Sequence, residues 1–300
     1  MSWGASTTDI WRAGIARTPI SGVADGAALL KDAVWLPEQP PFCFLADPFG
    51  LWRGDHLHVF VEAYDYRDKH GVIRRFTYDK NLALIEQAPA LSTAHHLSYP
   101  FIIEDGADVF MLPEAYKSGK LTLYRARNFP NGWEPVCDLL DGPAIDASVV
   151  KHAGKWWMFY AQPGPDRRAM KELHAAFADS LTGPWTPHPL NPIRNALDSA
   201  RPGGAPFMHA GALYLPTQDC TRTYGGAVNI LRIDELTEKV FRCSLTRTLS
   251  AEGFDGLHTL SACGEVTLFD VKRIETSSQR LWIDLTRRWR RAMGVLGSRG

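Results

Sequence analysis

Cysteine is scarce and unpatterned in this 300-residue chain. Its five copies, Cys43, Cys137, Cys220, Cys243 and Cys263, are odd in number and far apart. No two stand at a CxxC or similar ligand spacing, which argues against a disulfide framework or a zinc site. Net charge is absent as well, with 33 Lys+Arg against 33 Asp+Glu. A nucleic-acid binder usually carries a basic excess, so no nucleic-acid partner is expected. No apolar run approaches the roughly 18 residues that span a bilayer. The opening MSWGASTTDIWRAG has no basic region leading into an apolar stretch, so it does not read as a secretory signal. Together these absences fit a reducing, cytoplasmic location, with any membrane contact peripheral.

Aromatics and turn formers are plentiful. Ten Trp, nine Tyr and fourteen Phe accompany 20 Pro and 25 Gly spread along the chain. That mixture suggests many short strands and turns rather than long helices. One pattern recurs five times: a strand, a short turn with Gly, then a second strand with aromatics. The copies read LADPFGLWRGDHLHVFVEAYD, LSYPFIIEDGADVFMLPEAY, AIDASVVKHAGKWWMFYAQP, RPGGAPFMHAGALYLPTQDC and GLHTLSACGEVTLFDVKR. Their turn glycines, Gly54, Gly106, Gly154, Gly211 and Gly264, lie 52, 48, 57 and 53 residues apart. A period near 50 with β-patterned hairpins predicts an all-β, five-bladed β-propeller over residues 1–275. Within HLHVFVE, Leu57, Val59 and Val61 fall on one strand face. Trp156, Trp157 and Tyr160 are expected to pack between blades.

In a propeller the first strand of each blade lines the central channel. Polar residues stand at the start of each first strand: Asp47, Ser98 with Tyr99, Asp146, Arg201 and His258. Eight residues after the turn glycine come Glu62, Glu114, Gln162 and Asp219, and Asp270 holds a similar place in the last copy. A core wants apolar residues at such regular positions. The ring of polar groups predicts a funnel around one axis.

The segments LADPF, HLSYPFI, MLPEAY, ARPGG, TQDC with YGG, and GLHTL carry a resemblance. Across roughly residues 10–275 the chain resembles the N-terminal domain of plant glucosamine inositolphosphorylceramide transferases. Similar domains occur in bacteria, some beside formyltransferase domains. That domain is related in turn to the five-bladed propellers of glycoside hydrolase family 43. The resemblance implies a propeller with a carbohydrate-related role. In the plant proteins a separate glycosyltransferase domain follows, so their activity is not expected to carry over unaided.

Family 43 enzymes invert the anomeric centre. The resemblance implies a base Asp on blade one, matched by Asp47, and a pKa-tuning Asp on blade three, matched by Asp146. Two such carboxylates must differ in protonation, so their environments must split their pKa values. The acid Glu of blade four has no match here, where the chain reads Ser199-Ala200-Arg201-Pro202-Gly203-Gly204. A guanidinium does not release its proton in the useful range. Three readings stay open. Glu114 or Glu62 is the acid from another blade. Alternatively, transfer occurs from an activated donor such as a nucleotide sugar, with Arg201 on its phosphate. In the third, the site is a non-catalytic sugar-binding or scaffold module partnering a separate glycosyltransferase. Asp47, Asp146 and Glu114 are the catalytic candidates. Glu62, Tyr99, Arg201, Asp219 and His258 are the candidates for contacting a carbohydrate or glycoconjugate substrate. Related propellers imply a channel cation such as calcium near a last-blade His. One His with distant carboxylates does not define a metal site, so no metal or other cofactor is expected.

Residues 276–300 hold six Arg and one Asp, about +5, leaving about −5 on the rest. Leu281, Trp282, Leu285, Trp289, Ala292 and Met293 recur at helical spacing. A short C-terminal helix is predicted. Its basic, amphipathic character suggests contact with an anionic membrane surface, a partner or the propeller itself.

Overall fold

Each repeat extends its predicted hairpin into an antiparallel sheet of four or five strands. The computed structural model describes residues 6–292. Blade one runs Cys43–Arg53, His56–Asp65, His70–Tyr78, Leu84–Leu91, and blade two Ser98–Asp105, Asp108–Glu114, Thr122–Asn128, Asn131–Asp138. Blade three runs Ile145–His152, Lys155–Ala161, Glu172–Ala178 and Thr186–Pro187, with Arg194–Asn195 also on its third strand. In blade four, Arg201–Pro202 and Phe207–His209 both pair with Ala212–Asp219, followed by Ala227–Leu236 and Phe241–Leu249. The five turn glycines all have positive φ, between 56° and 81°, which a Cβ would strain.

Blade five closes the ring in a way the repeat did not foretell. Its first two strands, Gly256–Cys263 and Val266–Ser277, come from the end of the chain. Its third, Ser6–Ala16, comes from the beginning and pairs from Ser6↔Ser277 through Ala16↔Thr267. Val34–Trp35 completes the sheet.

The core is a set of layers between neighbouring blades. Trp156, Met158 and Tyr160 pack toward Phe101, Leu112 and Leu123 of blade two. Trp157 and Phe159, on the opposite face of the same strand, pack with Leu213 and Leu215 of blade four. The period-two alternation thus feeds two interfaces from one strand. Full burial of each such side chain contributes about 1.5–3 kcal/mol.

One feature fixes the channel itself. In four blades the first strand carries a two-for-one β-bulge: between Ala46 and Phe49, Ser98 and Phe101, Ile145 and Ser148, and Leu257 and Leu260. The leading bulge residues are Asp47, Tyr99, Asp146 and His258. Asp47, Tyr99 and Asp146 have φ of 50°, 46° and 50°. A bulge re-aims a side chain, and here it does so at one equivalent position around the axis. Blade four lacks the bulge. There Gly203 and Gly204 bring the inner strand against that of blade five, where Leu260 N–H donates to Gly203 O at 2.9 Å. Gly204 has φ 134°, and a Cβ on it would collide with the Leu260 carbonyl. Gly204→Ala should therefore cost about 3 kcal/mol or more. Urea unfolding would measure it, and a wild-type midpoint would show that the two strands can part freely.

Candidate active site

The leading bulge residues meet carboxylates from the second strands. Asp47 is buried; Oδ1 accepts from Thr259 Oγ1 at 2.8 Å and Oδ2 from the Tyr99 N–H at 3.2 Å. Its own N–H donates to Asp270 Oδ2 at 2.8 Å. Blade five thus holds blade one, and blade one holds blade two, through carboxylates that accept a neighbour's bulge amide. His258 stands between two of them, Nδ1 2.7 Å from Asp270 Oδ1 and Nε2 3.4 Å from Asp47 Oδ1. Trp11 stacks on its ring at 3.7 Å.

Burial pushes the Asp47 carboxyl up to about 6, with the His258 charge opposing it. Burial alone would lower the His258 imidazole, but Asp270 and Asp47 outweigh it and hold it above its ordinary value. Glu62 and Glu114 are both held well above the usual carboxylate range, first by burial and then by neighbouring carboxylates. A side-chain hydrogen bond to Asp146 adds to the rise at Glu114. Asp146 Oδ2 accepts from Arg201 Nε at 2.6 Å and from Gln218 Nε2 at 3.0 Å. Arg201 Nη2 lies 4.0 Å from Glu114 Oε2 and 3.5 Å from the Tyr224 hydroxyl.

Asp47, Asp146, Glu114, Glu62, Arg201 and His258 are therefore brought into one buried electrostatic cluster. Two other candidates are placed elsewhere. Tyr99 is fully buried; its hydroxyl accepts from Gly204 N–H at 2.7 Å and lies 2.8 Å from Ser148 Oγ. It ties blade two to blades three and four, and no face of it is open to a substrate. Asp219 turns its carboxylate onto its own loop, where Oδ1 accepts from Thr221 N–H at 2.9 Å and Thr221 Oγ1 at 2.6 Å. Its neighbour Gln218, opposite Arg201, is the residue that reaches the cluster.

One participant, Lys272, carried no signal strong enough to single it out. Lys272 is fully buried and donates to Asp9 Oδ2 at 3.1 Å, Thr223 Oγ1 at 3.0 Å and Tyr224 O at 2.5 Å. It anchors the Thr223–Gly225 turn that presents Tyr224 to Arg201. At the rim, His96 accepts the Gly71 N–H on Nδ1 at 2.8 Å, leaving Nε2–H facing Glu62 at 3.5 Å. Burial lowers His96 to about 4, so it is neutral there.

Among the described residues, Asp47, His258 and Asp270 offer ligand atoms within 4.8 Å of one another. Their chemistry does not suit a cation. Both oxygens of each Asp already accept protein hydrogen bonds, and Asp270 Oδ1 also takes the His258 and Thr259 amides at 3.3 and 3.0 Å. The two carboxylates hold the His258 imidazole above its ordinary value, whereas a metal needs it neutral.

Comparison with known proteins agrees with the geometry. The family profile described as glucosamine inositolphosphorylceramide transferase 1, N-terminal, matches residues 7–277. Glucosamine inositolphosphorylceramide transferase 1 of Oryza sativa subsp. indica is 38% identical over 208 residues, covering 67% of this chain and 28% of that protein. The Arabidopsis thaliana protein of the same name is 32% identical over 240 residues, covering 79% and 31%. The chain thus spans less than a third of the length of these relatives. Among solved structures, a family 117 glycoside hydrolase from Zobellia galactanivorans superposes with TM-score 0.56 at 12% identity, covering 77% of this chain and 85% of that one. An alpha-L-arabinofuranosidase from Podospora anserina, solved with cellotriose, gives 0.56 at 9% identity, covering 80% and 93%. At such identities these structures show the shared fold alone. On the profile match across nearly all of the propeller, the chain belongs to the family of glucosamine inositolphosphorylceramide transferase N-terminal domains.

Proposed function

We propose that the carboxylate cluster acts on a glycosidic bond of a carbohydrate or glycoconjugate, with Asp47 as base and Glu114 as proton donor. The observation that supports this reading is one buried cluster of carboxylates set in different environments. Asp47, raised only to about 6, is ionised at neutral pH, whereas Glu114 is held well above the usual range. Pairs of titratable groups pushed apart in this way are how acid and base roles are divided. In this scheme Asp47 takes a proton from water or an acceptor hydroxyl, and Glu114 gives one to the leaving oxygen. Asp146 is fixed by Arg201 and Gln218 and raises the Glu114 carboxyl. Arg201 is committed to Asp146, which weighs against its use as a phosphate clamp for a nucleotide sugar. The relatives' name and the glycoside hydrolase neighbours are consistent with carbohydrate as the substrate class.

A second reading has its own observation. Every oxygen of Asp47 and Asp270 already accepts a protein donor, as expected of a rigid sugar-binding module without chemistry. The experiment separating the two is a thermal-shift screen with nucleotide sugars beside xylotriose and cellotriose, followed by a product assay on any stabilising ligand. A ligand at 100 times its dissociation constant adds about 2.7 kcal/mol. Turnover is expected to rise with pH through about 6 as Asp47 ionises. Saturable binding with no product at any pH would establish the module reading instead.

A further inference from the structure

The C-terminal helix, Gln279–Ala292, is inside out. A helix on a soluble protein turns its apolar stripe inward and its charges to solvent. Here Arg280 and Arg287 are 8% and 9% exposed, while Trp282, Leu285 and Trp289 are 67%, 50% and 61% exposed. Those three stand at i, i+3 and i+7, so they form one outward stripe.

The inward face explains how the helix is held. The Arg280 guanidinium lies over the Tyr66 ring at 4.4 Å. Asp284 bridges to Arg287 at 2.7 Å, Arg280 at 3.5 Å and Lys69 at 4.0 Å. Cation–π and ion-pair contacts thus fix the helix to the Tyr66–Lys69 turn of blade one. That turn continues the strand carrying Glu62, and Tyr64 on that strand is 5.6 Å from His96 at the rim. The helix therefore lies on the end of the propeller where the carboxylate cluster gathers. It also falls beyond the residues that the family profile matches, 7–277.

The geometry points to an anionic lipid surface as the occupant of this outward stripe. Three observations favour it. Two indoles and a leucine projecting from an arginine-rich helix are the composition of an interfacial anchor, with aromatic rings at headgroup level. The segment 276–300 carries about +5 against about −5 on the rest of the chain, so the positive charge is concentrated where the stripe is. A crevice of about 210 Å³ beside Trp282, lined also by Arg67, Ile283, Thr286 and Arg287, sets two guanidinium groups, paired to Asp65 and Asp284, next to an exposed indole. No helix among the described residues is long and apolar enough to cross a membrane, so the contact is peripheral. Met293, which the sequence places on the same stripe, lies outside the described residues. Docking by this helix would turn the cluster's end of the propeller toward the bilayer.

The test is co-sedimentation of the full chain with vesicles of phosphatidylcholine containing phosphatidylglycerol, against phosphatidylcholine alone. Wild type should bind the anionic vesicles, and binding should weaken as salt screens the arginines. The double substitution Trp282→Ala with Trp289→Ala should lower partitioning by roughly tenfold or more at an unchanged melting temperature, since both indoles are exposed. The idea fails if wild type binds neither vesicle, or if the double variant binds as well as wild type. It also fails if sedimentation velocity shows a dimer that the double variant dissolves, because a second copy would then be the occupant. None of these readouts depends on the proposed sugar chemistry.

Discussion

Arg201→Ala is expected to destabilise the protein by about 3–5 kcal/mol, the cost of stripping one partner from a buried ion pair. The guanidinium is the 2.6 Å partner of Asp146 and the nearest positive charge to Glu114. Without it Asp146 keeps the Gln218 amide but faces neighbouring carboxylates in a buried setting. Asp146→Asn in the same chain should restore much of the loss, because the uncompensated charge is gone. Arg201→Lys should not, since an ammonium cannot reproduce the planar contact with Asp146 and the Tyr224 ring. Urea midpoints of the two single variants and the double variant measure the coupling. Additive losses would mean that the pair is not what holds this side of the funnel.

Glu114→Gln is expected to reduce turnover by about 10²–10⁴-fold while the fold survives. Burial and Asp146 hold Glu114 well above the usual carboxylate range, which favours its neutral form. Glutamine copies that neutral shape but has no proton to give. A carboxyl raised in the folded state contributes stability that fades as pH rises, so the variant should match wild type in mild acid and exceed it in alkali. Initial rates on the stabilising carbohydrate, with melting curves across pH, check both halves. Undiminished rates would move the donor role to Glu62.

Much of this is legible in the sequence. The five turn glycines and the aromatic second strands specify the blades. The polar residues at the strand starts, Asp47, Tyr99, Asp146 and His258, do occupy one structural position. What the counting missed is the register of blades three and four. Gly54 and Gly106 are the first residues of their two-residue turns, whereas Gly154 and Gly211 are the second, after Ala153 and Ala210. Counting eight from each glycine therefore overshoots by one, to Gln162 and Asp219 instead of Ala161 and Gln218. The bulges were also invisible, because nothing local in Ala-Asp-Pro or Ser-Tyr-Pro announces that the chain turns left-handed there. Trp11 and the closing strand escaped notice for a different reason. Their partners lie some 260 residues away in sequence, and no periodic pattern reports such a pairing.

That closing strand sets a timetable for the nascent chain. Ser6–Ala16 leaves the ribosome some 260 residues before its partner Val266–Ser277. At ordinary translation speeds the early strand waits roughly tens of seconds for its mate. Asp47 waits with it, because Thr259, Asp270 and His258 are all late arrivals. Until blade five shuts, Asp47 lacks the imidazole and hydroxyl that fix its carboxylate. The buried cluster around Asp47 is thus completed only when the ring closes.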